Sequence, residues 1–173
     1  MSGAEVFGLI SSIVAIVDAI VKLQCALHST SGLPSAFHDV SRRMPLLRET
    51  LLIAQEGIDQ DAGSASYTAL KSVLDSCKEK INSLEKIFRA VVVERDAPKL
   101  ERYTSAARSS TKGRRVQELM ISVQADIQAL TGNYAIKTAT KMQVEALLAE
   151  MTVFRSSKLC GLNASISNHG AGQ

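Results

Sequence analysis

The stretch that most constrains this chain is Ala4–Leu27, AEVFGLISSIVAIVDAIVKLQCAL, which carries no charge between Val6 and Val17. Val6, Phe7, Leu9, Ile10, Ile13, Val14, Ile16 and Val17 cover every face of a helix, leaving no wide polar face for water. A helix that is apolar all round is either enclosed by other helices or placed in lipid. The uncharged run of about 12 residues is shorter than the ~20 that a membrane span requires. Asp18 then falls where the second half of a span would lie, at about 2.5–3.5 kcal/mol at a bilayer centre. Met1-Ser-Gly-Ala-Glu has no basic region, and no small-residue cleavage site closes the run, so the segment does not read as a signal peptide. The first expectation is therefore a bundle helix, central or lying in a groove between others. The second is membrane insertion.

The remainder of the chain must supply that enclosure. At 173 residues it fits one domain with room for a substantial core. Aromatic residues are 4% of the chain and tryptophan is absent, so aliphatic side chains fill the core, which suits helix-on-helix packing better than a sandwich of sheets. Three cysteines, Cys25, Cys77 and Cys160, are odd in number and widely spaced, which points to reduced thiols and an intracellular compartment.

After a break at His28-Ser-Thr-Ser-Gly-Leu-Pro, Pro34 suits the first turn of a second helix. Phe37, Val40, Met44, Leu47, Leu51, Ala54 and Ile58 recur at alternating spacings of three and four, an amphipathic stripe. Pro45 lies within it and predicts a kink. The segment 59–66 is a turn, with Ser64 or Ser66 available as a cap. A third helix carries Leu70, Val73, Leu74, Cys77, Ile81, Leu84, Ile87, Phe88 and Val91 on one side. Residues 99–108 form a short helix that Ser109-Ser-Thr-Lys-Gly interrupts. A fourth long helix starts at Arg114, carries Val116, Leu119, Met120, Val123, Ile127 and Leu130, and stops at Thr131-Gly132-Asn133. The fifth has Ile136, Met142, Val144, Leu147, Leu148 and Met151 as its apolar set. Beyond Phe154 the chain is small and polar, so residues 1–154 are expected to be the bundle and 155–173 a flexible tail or linker. The expected architecture is all-α, an antiparallel bundle of four to five helices with a highly apolar N-terminal helix.

Catalytic patterns are absent from the sequence. It has no phosphate-binding Gly-x-x-x-x-Gly-Lys-Ser/Thr, no His-Glu-x-x-His, no Cys-x-x-Cys and no Glu-x-x-His pair. His28 and His38 have no ligand spacing, and Cys77 falls on an apolar helix face, where a core role outweighs a nucleophilic one. The chain reads as a non-enzyme without cofactor or metal. Net charge is only +3, but Arg102, Arg108, Lys112, Arg114 and Arg115 fall in one segment without an acidic residue. As a solvated face this is ordinary; as a patch for anionic lipid, each cation near the surface adds about 1 kcal/mol. Tyr103 is the one aromatic in that segment and no nucleic-acid motif accompanies it, which argues against nucleic acid as a partner.

AEVFGLISSIVAIVDA, GLPSAFHDVSRRMPLLRETL, LKSVLDSCKEKINSLEKIF, RYTSAARSSTKGRRVQELMISVQADIQALTGN and ATKMQVEALLAEM, taken in order, resemble the SesA-type domains. These stand at the N-terminus of fungal NACHT and other P-loop NTPase receptors of the NLR-like (STAND) kind. The resemblance covers about Ala4–Met151 and implies a HeLo-like bundle serving as the output module of an immune or allorecognition receptor. It further implies self-association on activation and regulated cell death through an N-terminal helix that permeabilises the plasma membrane. The inserting residues would be those of Val6–Val17 named above, with Glu5 and Gly8 matching the start of such helices. The implied localisation is cytoplasmic at rest and plasma membrane on activation. Implied partners are further copies of the chain, anionic lipids, and a downstream NTPase domain or amyloid-signalling partner. The alternative is a non-lytic interaction or oligomerisation module that recruits a partner by helix packing.

Overall fold

In a computed structural model the chain forms five helices: α1 (Gly3–Leu27), α2 (Ser35–Glu56), α3 (Ser64–Arg95), α4 (Lys99–Thr131) and α5 (Thr138–Gly161). The structure describes residues 2–27, 33–59, 63–95, 99–133 and 136–161, without the side chains at 25–27, 93–95, 99–110, 139 and 154–161. Among the described residues no strand forms, and a single antiparallel bridge joins Ile58 to Ile136.

The first four helices run up and down and stand at the corners of a square. Backbone packing pairs α1 with α2 and α3, and α4 with the same two, so α1 and α4 occupy opposite corners. α2 and α3 are the other diagonal, and their side chains meet across the core, as where the Phe37 and Phe88 rings pack edge to face at 5.2 Å. α5 lies outside the square against α2 and α4. The core is aliphatic, as the composition requires. It is built from Val6, Ile10, Ile13, Val17 and Ile20 of α1, the stripe Phe37–Ile58 of α2, Leu70–Phe88 of α3 and Val116–Leu130 of α4. Of the apolar set expected on α5, Val144 and Met151 are buried and Leu148 packs against the core, as does Ile136 just before the helix. Met142 instead faces water.

Three sequence expectations change. α4 is one uninterrupted helix from Lys99. Gly113 is not a break but a buried contact with the start of α2: a Cβ there would lie 3.4 Å from Pro34 Cβ and 3.6 Å from Ala36 Cβ, an ordinary packing distance. Pro34 is the cap of α2 rather than its first helical residue; its carbonyl accepts the Phe37 N–H at 3.0 Å. α2 continues through Pro45, as the unbroken spacing implied, with Pro45 exposed; its missing N–H costs the helix one backbone bond. α5 runs on to Gly161 rather than ending at Phe154; residues 162–173 of the expected tail lie outside the described residues.

The turns are set by identifiable contacts. α1 opens with one arm of a capping box, in which the Ser2 N–H donates to the Glu5 carboxylate at 2.8 Å while the Glu5 N–H donates to the Ser2 carbonyl at 3.2 Å. The bond from the Ser2 N–H holds the Glu5 carboxyl below its usual range. Gly63 accepts the N–H groups of Ser66 and Tyr67 before α3, so neither Ser64 nor Ser66 stands as the cap residue. α4 ends at Thr131 as the Thr-Gly-Asn sequence requires, and the Asn133 amide donates to the Ser66 carbonyl at 3.1 Å, tying the α4 end to the α3 start. Along the same pair, Lys80 and Asp126 form a half-buried ion pair at 2.6 Å.

Candidate functional site

The sequence nominated α1, and the structure shows how the bundle sorts its faces. Val6, Ile10, Ile13, Val14 and Val17 are buried, and Leu9 and Ile16 are packed partly against the core. Phe7 is the exception among the eight candidates, 51% exposed. At 100° per residue the outward face falls on Ala4, Gly8, Ser11 and Ala15, all exposed. Bulk is thus turned inward and small residues outward, in the groove between α2 and α3. Nothing lies within 4 Å of the position a Gly8 Cβ would take, so that glycine faces open solvent.

Two polar contacts clasp α1 to α2. The Gln55 side-chain amide donates to the Ser11 hydroxyl at 2.7 Å and to the Phe7 carbonyl at 3.2 Å. Farther along, Arg48 pairs with Asp18 at 2.7 Å on the exposed rim. The residue that looked misplaced in a membrane span is therefore paired with its neighbour on α2. Gln55 was not legible in the sequence, because it lies 44 positions from Ser11 and belongs to no motif.

α1 also proves longer as an apolar element than the charge-free run suggested. Over Gly3–Gln24, 22 residues, it is long and apolar enough by length and composition to cross a membrane, a property that the core helix of a soluble protein can share. Ala19, Ile20 and Val21 carry the apolar character past Asp18, and 22 residues rise about 33 Å, against a hydrocarbon core of about 30 Å.

The basic residues lie elsewhere. Gly113 meets Pro34 at the start of α2, whereas Phe7 meets Gln55 near its end; the length of α2 between them is about 30 Å. Lys112, Arg114 and Arg115 are therefore at the end of the bundle where α1 finishes, away from Phe7. Arg114 and Arg115 are exposed, and Arg115 approaches Glu118 at 3.6 Å. The side chains of Arg102 and Arg108 lie outside the described residues. His28 also lies outside them, and His38 stands on α2. Among the described residues no group of three His, Cys, Asp or Glu is placed to hold a metal. Cys77 is fully buried in the core, where burial and then the Asp126 carboxylate push its thiol up to about 12. That is the setting of a packing residue and not of a nucleophile.

The family model for SesA, described as an N-terminal domain on NACHT NTPases and P-loop NTPases, matches residues 10–130, from the second turn of α1 to the last turn of α4. The chain belongs to the SesA family. No curated protein and no solved structure matches it. The family description places a SesA domain beside an NTPase, as the attached N-terminal module and not as the nucleotide-hydrolysing part.

Proposed function

We propose that this SesA domain is the signalling and effector module of an NLR-like receptor, cytoplasmic at rest. On activation it self-associates and passes α1 to the plasma membrane, causing regulated cell death. The observation that carries the reading is α1 itself: a helix of membrane-crossing length whose large aliphatics are sequestered in a groove and whose one mid-helix carboxylate is paired on α2. Removing it from the groove uncovers buried side chains that stabilise the bundle by about 1.5–3 kcal/mol each. Lipid or further copies of the chain must supply an equivalent burial. Arg114 and Arg115, with Lys112 beside them, present cations at the α1 C-terminal end and support docking to anionic lipid. A downstream NTPase domain or an amyloid-signalling partner would supply the trigger; nucleic acid has no role in this scheme.

The test is dye release from anionic vesicles with and without enforced clustering of the chain. Ile13 is fully buried, so a charge there unfolds the monomer and is uninformative. Phe7→Glu and Leu9→Glu alter the exposed and half-buried side of α1. Both are expected to abolish release with the helical signal intact. Release unchanged by either substitution refutes insertion. The second reading, a non-lytic interaction module, is favoured by how completely α1 serves the core. It predicts clustering without release from any vesicle.

A further inference from the structure

Helix α5 is apolar on two opposite sides. Thr140, Val144 and Met151 are buried against the bundle, with Leu147 and Leu148 half-buried beside them. Met142, Ala146, Ala149 and Val153 point the opposite way and are all exposed, Met142 by 69% and Val153 by 65%. A helix on a bundle surface ordinarily carries polar residues there. The spacing of these four, four-three-four, is that of the seam between two coiled helices. The seam also lies outside residues 10–130, the part matched to the family.

We propose that this seam receives a second copy of the chain, the two α5 helices packing antiparallel about a twofold axis near Leu147 and Leu148. Charge selects the direction. Gln143 and Glu150 flank one side of the seam, and Glu145 and Thr152 the other. A parallel pair sets Glu145 of each copy against Glu150 of the other, which repels on both sides. The antiparallel pair sets Gln143 opposite Glu150, and Thr152, whose hydroxyl donates to the Leu148 carbonyl at 2.6 Å, opposite Glu145, so no carboxylate faces another.

Shape agrees with charge. The same alignment puts Met142 against Val153 at each end and Ala146 against Ala149 in the middle, where small side chains let the backbones approach. This is self-complementary, as a twofold interface must be. The overlap is about 18 Å long, so the buried area falls short of the roughly 1,200–2,000 Å² of a stable complex. The dimer is therefore weak for free chains and strengthened wherever chains are held together. No α1 residue takes part, so the dimer forms in solution without vesicles and stands or falls separately from membrane insertion.

Sedimentation equilibrium of the full chain tests the interface. The apparent mass is expected to rise from the monomer value of 18.6 kDa toward twice that as concentration approaches about 1 mM. Met142→Glu and Val153→Glu are each expected to weaken association by about tenfold or more, with unchanged helical circular dichroism. Direction is read by mixing Ala146→Cys and Ala149→Cys chains, each with Cys25 and Cys160 replaced by serine. Disulfide-linked heterodimers should then exceed twice the amount of either homodimer, the ratio that random pairing gives. A monomeric mass throughout, glutamate variants that associate like the parent chain, or heterodimers at or below the random ratio would each overturn the proposal.

Discussion

Replacing Gln55 by alanine measures what holds α1 in its groove. Gln55 makes two hydrogen bonds to α1, at 2.7 Å to the Ser11 hydroxyl and 3.2 Å to the Phe7 carbonyl. The Ser11 hydroxyl also donates to that carbonyl, at 3.0 Å, so the substitution leaves no buried acceptor without a partner. The cost is therefore the net worth of two hydrogen bonds, about 0.5–1.5 kcal/mol each, and not the larger penalty of an orphaned group. Together with lost packing of the side-chain stem, about 2 kcal/mol is expected, a fall in melting temperature of roughly 4–8 °C for a chain of this size. Arg48→Ala serves as the contrast. Its pair with Asp18 is exposed at both ends, and such pairs contribute about 0–1 kcal/mol. Urea denaturation followed by circular dichroism gives both values. Amide hydrogen exchange then locates the effect: α1 amides should exchange faster in Gln55→Ala while those of α3 and α4 follow global stability. A change below about 0.3 kcal/mol for Gln55→Ala, or an effect no larger than that of Arg48→Ala, would show that α1 is held by apolar packing alone.

Two further outcomes follow from buried contacts. Gly57→Ala should lower stability by about 1–3 kcal/mol, because a Cβ there would sit 2.5 Å from Thr140 Cβ and closer still to the other Thr140 side-chain atoms; thermal melting checks it. The Cys77 thiol, raised from 9.0 to about 12, keeps its proton in the folded chain at pH values where the unfolded chain has lost it. Its contribution is therefore fully present below pH 9 and declines as pH rises toward 12, by up to about 1.4 kcal/mol per pH unit. Urea midpoints measured across that range should fall more steeply for the parent chain than for Cys77→Ala; equal slopes would contradict the assignment.

Helix positions were readable in the sequence wherever one face was apolar and the other polar. Every member of the Phe37–Ile58 stripe and of the Val116–Leu130 set is buried. α1 was readable as a helix but not in its orientation, since a segment apolar on all sides carries no periodic signal to say which side faces the core. The buried side took the isoleucines and valines and the outer side alanine, glycine and serine, with Phe7 the exception. The serine-rich run ending at Gly113 misled because small polar residues that mark a loop are also accommodated inside a long helix packed on its neighbours, as α4 is against α2 and α3. Gln55 could not be found in advance, since a long-range clasp leaves no local trace. Met142 belonged to an apolar set by spacing alone, and the structure separates it from Val144 and Met151 by half a helical turn.

The end of α2 is where the two ends of the molecule meet. Gln55 grips α1; two residues on, the Gly57 carbonyl accepts the Lys137 N–H at 3.0 Å, and Ile58 bridges Ile136. Among the described residues the backbones of α1 and α5 do not pack together, yet each is fastened to the same four-residue length of chain, Gln55–Ile58. That segment works as a common fulcrum. A displacement of the first turn of α5 is borne by the stretch of chain that anchors the second turn of α1, so one short segment links a corner helix of the square to the helix outside it.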